Sequence, residues 1–268
     1  MIIYVDGSAL RPGDGTERSP FKTISEAAAK ALPGDEVLVA PGIYREAVDP
    51  RNAGTATKRI TYRSAQKGQA HITGSEPVKS WSHVEGNIWK ATIPNGVFSD
   101  YNPFTTLVSG DWFIASMIAH TGDVFLNEKS MYEVTDLEQV RKPLKSQTSW
   151  DSEFSLYTWY TEQDEEKDQT ILYANFQEKD PNRENVEISV RKNCFYPSSE
   201  GIGYITLSGF KISQAATQWA PPTAYQEGMV GPHWSKGWII EDCEIYEAKC
   251  SGISLGKYLQ PNNNNKWL

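Results

Sequence analysis

The feature that most constrains the fold is a pattern that occurs twice at one spacing. In YITLSGFKIS the apolar residues Ile205, Leu207, Phe210 and Ile212 lie 33 positions before Trp238, Ile240, Cys243 and Ile245 of SKGWIIEDCEIYEAKCSGISLGK. Each copy alternates apolar and polar residues, turns a corner, and resumes. A second alternating run opens at Gly252-Ile253-Ser254-Leu255. Alternation with period two is the mark of a strand, and strands whose corners recur in step indicate a coiled, stacked sheet. Upstream, Val37 and Val39 alternate before Pro41-Gly42, and Ile60 and Tyr62 stand 23 positions further on with the same alternation, which suits another rung of about two dozen residues.

This reading predicts an all-β protein, a right-handed parallel β-helix interrupted by an antiparallel β-sandwich, with a short N-terminal capping helix over about 25–31. The helix is expected from SEAAAKAL, ended by Pro33-Gly34. Residues 1–74 hold the cap and first rungs. From about 75 to 195 the rhythm changes to strands joined by Gly/Asn or acidic turns, as in GDVFLNEKSMYEV and YTWYTEQDEEKDQTILYANF, which predicts antiparallel hairpins inserted into the stack. The polar stretch from Leu137 to Lys145 reads either way. Rungs resume over 196–268. The chain ends on PNNNNKWL with no capping element, so the expectation is that more chain, or a partner subunit, covers the last rung.

Charge and composition narrow the function. The 26 Lys and Arg residues against 34 Asp and Glu give a net charge of −8, which argues against nucleic acid or an anionic membrane as partner. No membrane span or secretory leader stands out, and a cytoplasmic location is expected. Cys194, Cys243 and Cys250 have no metal-ligand spacing and are expected to be buried small apolar residues, with neither metal nor cofactor required. Phosphate-loop, nucleophile-elbow, zincin and dinucleotide motifs are absent. Nine Trp and thirteen Tyr suit stacking on flat apolar faces, such as those of sugar rings.

The segment between Gln214 and Ser235 is too long for a simple rung connection and carries Trp219, Pro221, Pro222, Tyr225, Glu227, His233 and Trp234. It is the expected wall of a ligand site. Trp112, in SGDWFIASM, is either a stacking residue or a core tryptophan. His233 is either a hydroxyl partner or structural. The carboxylates Glu241, Asp242, Glu244 and Glu247 read as solvated surface, the alternative being that one lines a site.

Several motifs together resemble a known family. TISEAAAKALPGDEVLVAPGIYRE resembles the cap and first rung of bacterial β-helix carbohydrate enzymes. Taken with YNPFTTLVSGDW, GDVFLN, SMYEV, NCFYP, WAPPTA and GPHWSKGWIIEDCEIYEAKCSGISLGK, the chain from Ile3 to about Lys257 resembles glycoside hydrolase family 120, β-xylosidases built as a β-helix interrupted by a β-sandwich. The resemblance implies a retaining β-xylosidase acting on short xylo-oligosaccharides through an Asp nucleophile and a Glu acid/base, both beyond Leu268, so that these residues alone are expected to be inactive. It puts Trp112 first among substrate-binding residues and the loop of Trp219, Tyr225, His233 and Trp234 second. A homo-oligomer or a C-terminal portion of the chain is expected to close the stack. A β-helix polysaccharide lyase and a non-catalytic carbohydrate-binding protein are the competing readings.

Overall fold

The computed structural model describes residues 1–110, 113, 118–219 and 227–255. They are predominantly β, and they divide into two units. The first is formed by Met1–Gly74, Ser109, Gly110, Phe113 and the described residues from Arg191 onward. The second is formed by Ser75–Val108 and the described residues up to Val190.

In the first unit, one sheet runs through Ile2–Val5, Glu36–Val39, Ile60–Ser64, Ile205–Ser208 and Ile239–Glu241, every neighbouring pair parallel. A second parallel sheet runs through Gly42–Tyr44, Ala70–Thr73, Lys211–Ser213 and Glu244–Tyr246. Parallel bridges link Val48, Phe195, Val230 and Ile253 in a third line. Strands of three to five residues cannot stand alone, so each circuit of the chain is stable only against the next.

Their side chains meet in columns. Ile3, Val37, Tyr62, Leu207 and Ile240 are paired in succession along the first sheet, and Tyr44, Ile72, Ile212 and Ile245 along the second. Val37, Ile72, Leu207 and Ile212 are fully buried, each removing enough apolar surface to stabilise by roughly 1.5–3 kcal/mol. Tyr62 packs edge-on against Phe195, ring centroids 4.9 Å apart, and burial pushes its phenol pKa well up.

The 33-residue repeat is present in the pairing, with Leu207 opposite Ile240 and Ile212 opposite Ile245. It extends to the backbone. Tyr204, Gly209 and Gln214 have φ of 55°, 77° and 65°, and their counterparts Gly237, Asp242 and Glu247 have 72°, 55° and 51°. Each corner passes through the left-handed region, which Gly and Asp enter at least cost. The corners also bond to one another, Tyr204 N to Lys236 O, Gly209 N to Glu241 O and Gln214 N to Glu247 O.

The upstream rung has about the length expected, with its pairing shifted from the apolar offset. Val37 lies beside Tyr62 and Val39 beside Ser64, a spacing of 25, two more than the offset that separates Val37 and Val39 from Ile60 and Tyr62. A slip of two residues leaves every side chain on its original face, so alternation alone cannot distinguish the two registers; the bonds from Thr61 N to Asp35 O and from Ala65 N to Val39 O belong to the observed one. The N-terminal helix is also shorter than expected, Ile24–Ala28, with a capping box between Thr23 and Glu26. Ile24, Ala27 and Ala28 are fully buried in the same core as the columns.

The second unit has two sheets over one core. One comprises Lys129–Ser130, Val124–Leu126, Val186–Ser189 and Ser75–Pro77, all antiparallel. The other comprises Tyr132–Glu133, Thr158–Asp164, Gln169–Asn175, Ile88–Pro94 and Ser82–Glu85, antiparallel except for its first pair. Val124, Leu126, Val186 and Ile188 of the first meet Ala91, Trp159, Leu172 and Ala174 of the second. The ambiguous polar stretch contains a short helix, Leu137–Arg141, capped by Asp136.

The cysteines fall at three depths. Cys194 is buried, with its thiol pKa pushed up to about 12 by desolvation. Cys243 is half-buried and raised for the same reason. Cys250 is exposed, contrary to the expectation from composition, because it lies just past the corner at Glu247, where the chain is outside the sheet. Thiol labelling of the native protein is therefore expected to modify Cys250 first and Cys194 only on unfolding; early loss of the Cys194 thiol would contradict the burial. Phe195→Ala, removing a fully buried ring, is expected to cost about 3–5 kcal/mol in denaturant unfolding.

Candidate functional site

The long segment after Gln214 begins as core. Ala215, Ala216 and Thr217 are buried; Ala216 N donates to Arg191 O, and Thr217 Oγ1 accepts from the amides of Cys250 and Ser251 at 2.8 and 2.9 Å. Thr73 Oγ1 donates to Gln214 Oε1 at 3.0 Å. The chain is thus tied to its neighbours before it leaves the stack. Gln218 Oε1 then accepts from the amides of Ser109 and Trp219 at 3.0 and 2.9 Å.

Trp219 is half-buried and lies against Phe113, centroids 6.1 Å apart at 41°. Gly110 makes this possible. A Cβ there would fall 2.9 Å from the Trp219 Cδ1, and its φ of +150° disfavours any other residue.

The segment's far end is tied as firmly. Lys192 Nζ approaches Glu227 Oε2 at 2.6 Å and Asn193 Nδ2 donates to Oε1 at 2.7 Å, leaving the carboxylate only partly exposed. Met229 is fully buried, its amide donating to Ser251 O and its carbonyl accepting from Cys194 N. Gly231 passes so close to Ser254 that an added Cβ would stand 2.2 Å from the carbonyl oxygen.

The other candidates have different surroundings. His233 Nδ1 donates to Pro197 O at 2.7 Å and its ring stacks on Tyr196 at 5.2 Å. Trp234 is 6% exposed. Both have left-handed backbones, with φ of 42° and 61°. Trp112 and Tyr225 lie outside the described residues. Glu241, Asp242 and Glu244 are exposed, and Asp242 and Glu244 face Lys67 and Lys211.

Phe113 and the Lys192–Asn193–Glu227 cluster were not singled out from sequence. A lysine 35 positions before a glutamate carries no signal unless the rung period is already known to bring the two level. Chemically, the Phe113–Trp219 pair offers an apolar, aromatic surface of the kind that stacks on sugar rings. Glu227 is a charge-compensated anchor. Among the described residues there is no group of three His, Cys, Asp or Glu side chains placed to hold a metal, and no helix long and apolar enough to cross a membrane.

Comparison with known proteins shows what the chain is similar to. Residues 78–188 match the family model for the glycoside hydrolase 120 insertion domain. The complex structure of XylC with xylose aligns with 99% of this chain at 44% identity and a TM-score of 0.91, the chain spanning 43% of its length. A second solved structure, described as a glycoside hydrolase, shares the fold at 14% identity and a TM-score of 0.57, over 94% of this chain and 63% of its own. A 72-residue stretch, 27% of this chain, is 33% identical to YwoF of Bacillus subtilis (strain 168), of which it covers 15%. Residues 78–188 are thus similar to the insertion domain of glycoside hydrolase family 120, and the likeness to XylC extends over the rest of the chain.

Proposed function

We propose that the chain is the N-terminal part of a retaining β-xylosidase that releases xylose from short xylo-oligosaccharides. The observation that carries this is the 44% identity to XylC, solved with xylose, over 99% of the chain. In this reading the stacked rungs are a right-handed parallel β-helix, built from 1–74 and 196–268, and 75–195 is its inserted β-sandwich. Right-handedness is the general rule for crossovers between parallel strands.

Retaining hydrolysis needs two carboxyl groups about 5–5.5 Å apart, one to attack the anomeric carbon and one to protonate the leaving oxygen and then activate water. Both carboxylate oxygens of Glu227 are already engaged by Lys192 and Asn193. In keeping with the family resemblance, this reading places the Asp nucleophile and the Glu acid/base beyond Leu268. Trp112, Trp219, Tyr225, His233 and Trp234 supply binding surface, with Trp219 stacking on a xylose ring. A cytoplasmic location and a homo-oligomeric or C-terminally completed stack complete the proposal.

An aryl β-xyloside assay tests it. The whole protein is expected to hydrolyse the substrate and release β-xylose first, with these 268 residues alone inactive; turnover by the chain alone would overturn the placement of the carboxylates, and an unsaturated product from a uronate polymer would favour a lyase. In the whole protein, Trp219→Ala is expected to raise KM about tenfold, the loss of one aromatic stack, with kcat changed less. Gly110→Ala is expected to displace the Trp219 indole and shift its fluorescence while leaving the unfolding midpoint of the second unit unchanged.

A further inference from the structure

The second unit contains a cleft of about 450 Å³, within the size range of small-ligand sites, which the proposed hydrolysis does not use. Its walls come from the Tyr132–Glu133 strand, the Leu137–Arg141 helix, the start of the Thr158–Asp164 strand and the loop between Lys142 and Ser155. That loop is held in shape by its own hydroxyls. Ser146 N donates to Ser155 Oγ at 2.8 Å, Ser149 N donates to Ser146 Oγ at 3.1 Å, and the Ser149 and Tyr132 hydroxyls are bonded to each other.

The lining is mixed in a specific way. Glu133, whose side chain is 8% exposed, already accepts from His120 through Nδ1 at 2.6 Å, and Lys142 already pairs with Glu138 at 2.7 Å. Both groups already have close partners within the protein, so neither is left over to anchor an ionic ligand. What remains is hydroxyl chemistry from Ser146 and Thr158 and the carbonyl oxygen of Gln139, whose Nε2 already donates to Thr135 and Asp136, beside the apolar lip of Leu144, which is 87% exposed. Thr158 lies at the wall with a buried hydroxyl that has no hydrogen-bond partner, and a turn about χ1 presents it to an occupant. On the same loop the indole of Trp150 is 90% exposed, with the Lys129 ammonium 5.2 Å from its centroid. A neutral ligand whose hydroxyls both donate and accept, and whose ring has an apolar C–H face, matches this set.

We propose that the cleft bounded by Glu133, Gln139, Leu144, Ser146 and Thr158 is a second binding site for a neutral sugar ring, with Trp150 as an adjoining platform. It does not rest on the hydrolase reading, since neither turnover nor a catalytic carboxylate enters the argument. The test is a backbone-amide NMR titration of the chain with D-xylose, D-glucose and xylobiose, with glycerol as the simple polyol control. The expected result is saturable shifts at amides between Tyr132 and Thr158 with at least one of the sugars and not with glycerol. The double variant Gln139→Ala, Leu144→Asp, both at exposed positions, is expected to weaken that binding about tenfold or more, with the remaining spectrum unchanged. Shifts absent from this region, equal shifts with glycerol, or unaltered affinity in the folded variant would each overturn the proposal.

Discussion

The parallel stacking of short strands in register is the interaction on which the first unit depends. No single rung buries a core. Ile3, Val37, Tyr62, Leu207 and Ile240 do so only as a column, and the column exists only while adjacent strands keep one alignment. The left-handed corners at Tyr204, Gly209 and Gln214, repeated at Gly237, Asp242 and Glu247, set that alignment by making successive rungs turn at the same places. The same pairing allows a long segment to leave after Thr73 and return before Ile205 without breaking the sheet, because Ile60 pairs directly with Ile205 and His71 with Lys211. A nearest-neighbour stack needs continuity in space between rungs, and it tolerates an interruption in sequence.

A candidate site follows from where a long segment of the chain is tied to the stack at both ends. The segment after Gln214 is tied at Thr217, and again at Glu227 and Met229, by bonds to neighbouring rungs. Between those ties it carries Trp219, placed beside Phe113 by the absence of a side chain at Gly110. An aromatic group on a loop whose ends are fixed by a rigid scaffold is the usual arrangement for recognition. Asp242 and Glu244 of the last described rung, exposed and paired with surface lysines, do not compete with it as a site.

Much of the stack was legible because apolar alternation and corner spacing report directly on a repeating environment. The 33-residue offset placed Leu207 against Ile240 and Ile212 against Ile245 without any structure. The 23-residue offset of Ile60 and Tyr62 marked the rung length to within two residues but not the pairing, since period two is blind to a slip of two. Cys250 was misplaced because composition speaks of cysteines in general and not of one beside a corner. At the candidate site, the sequence singled out the loop and its tryptophan but not Phe113 or the Lys192–Glu227 pair, since contacts between distant positions become visible only once the rung register is known. The substrate class came from a series of motifs that resemble one family, which periodicity alone could not have supplied.

The register is the claim most open to direct attack, and paired cysteines decide it. In the structure Leu38 stands opposite Arg63, whereas the 23-residue spacing would put it opposite Thr61. With the native cysteines removed, Leu38→Cys/Arg63→Cys is expected to form a disulfide under mild oxidation and Leu38→Cys/Thr61→Cys to remain reduced, because the bond requires Cα atoms roughly 4.4–6.8 Å apart. Efficient cross-linking of the 38/61 pair, with the 38/63 pair left free, would contradict the stack as described.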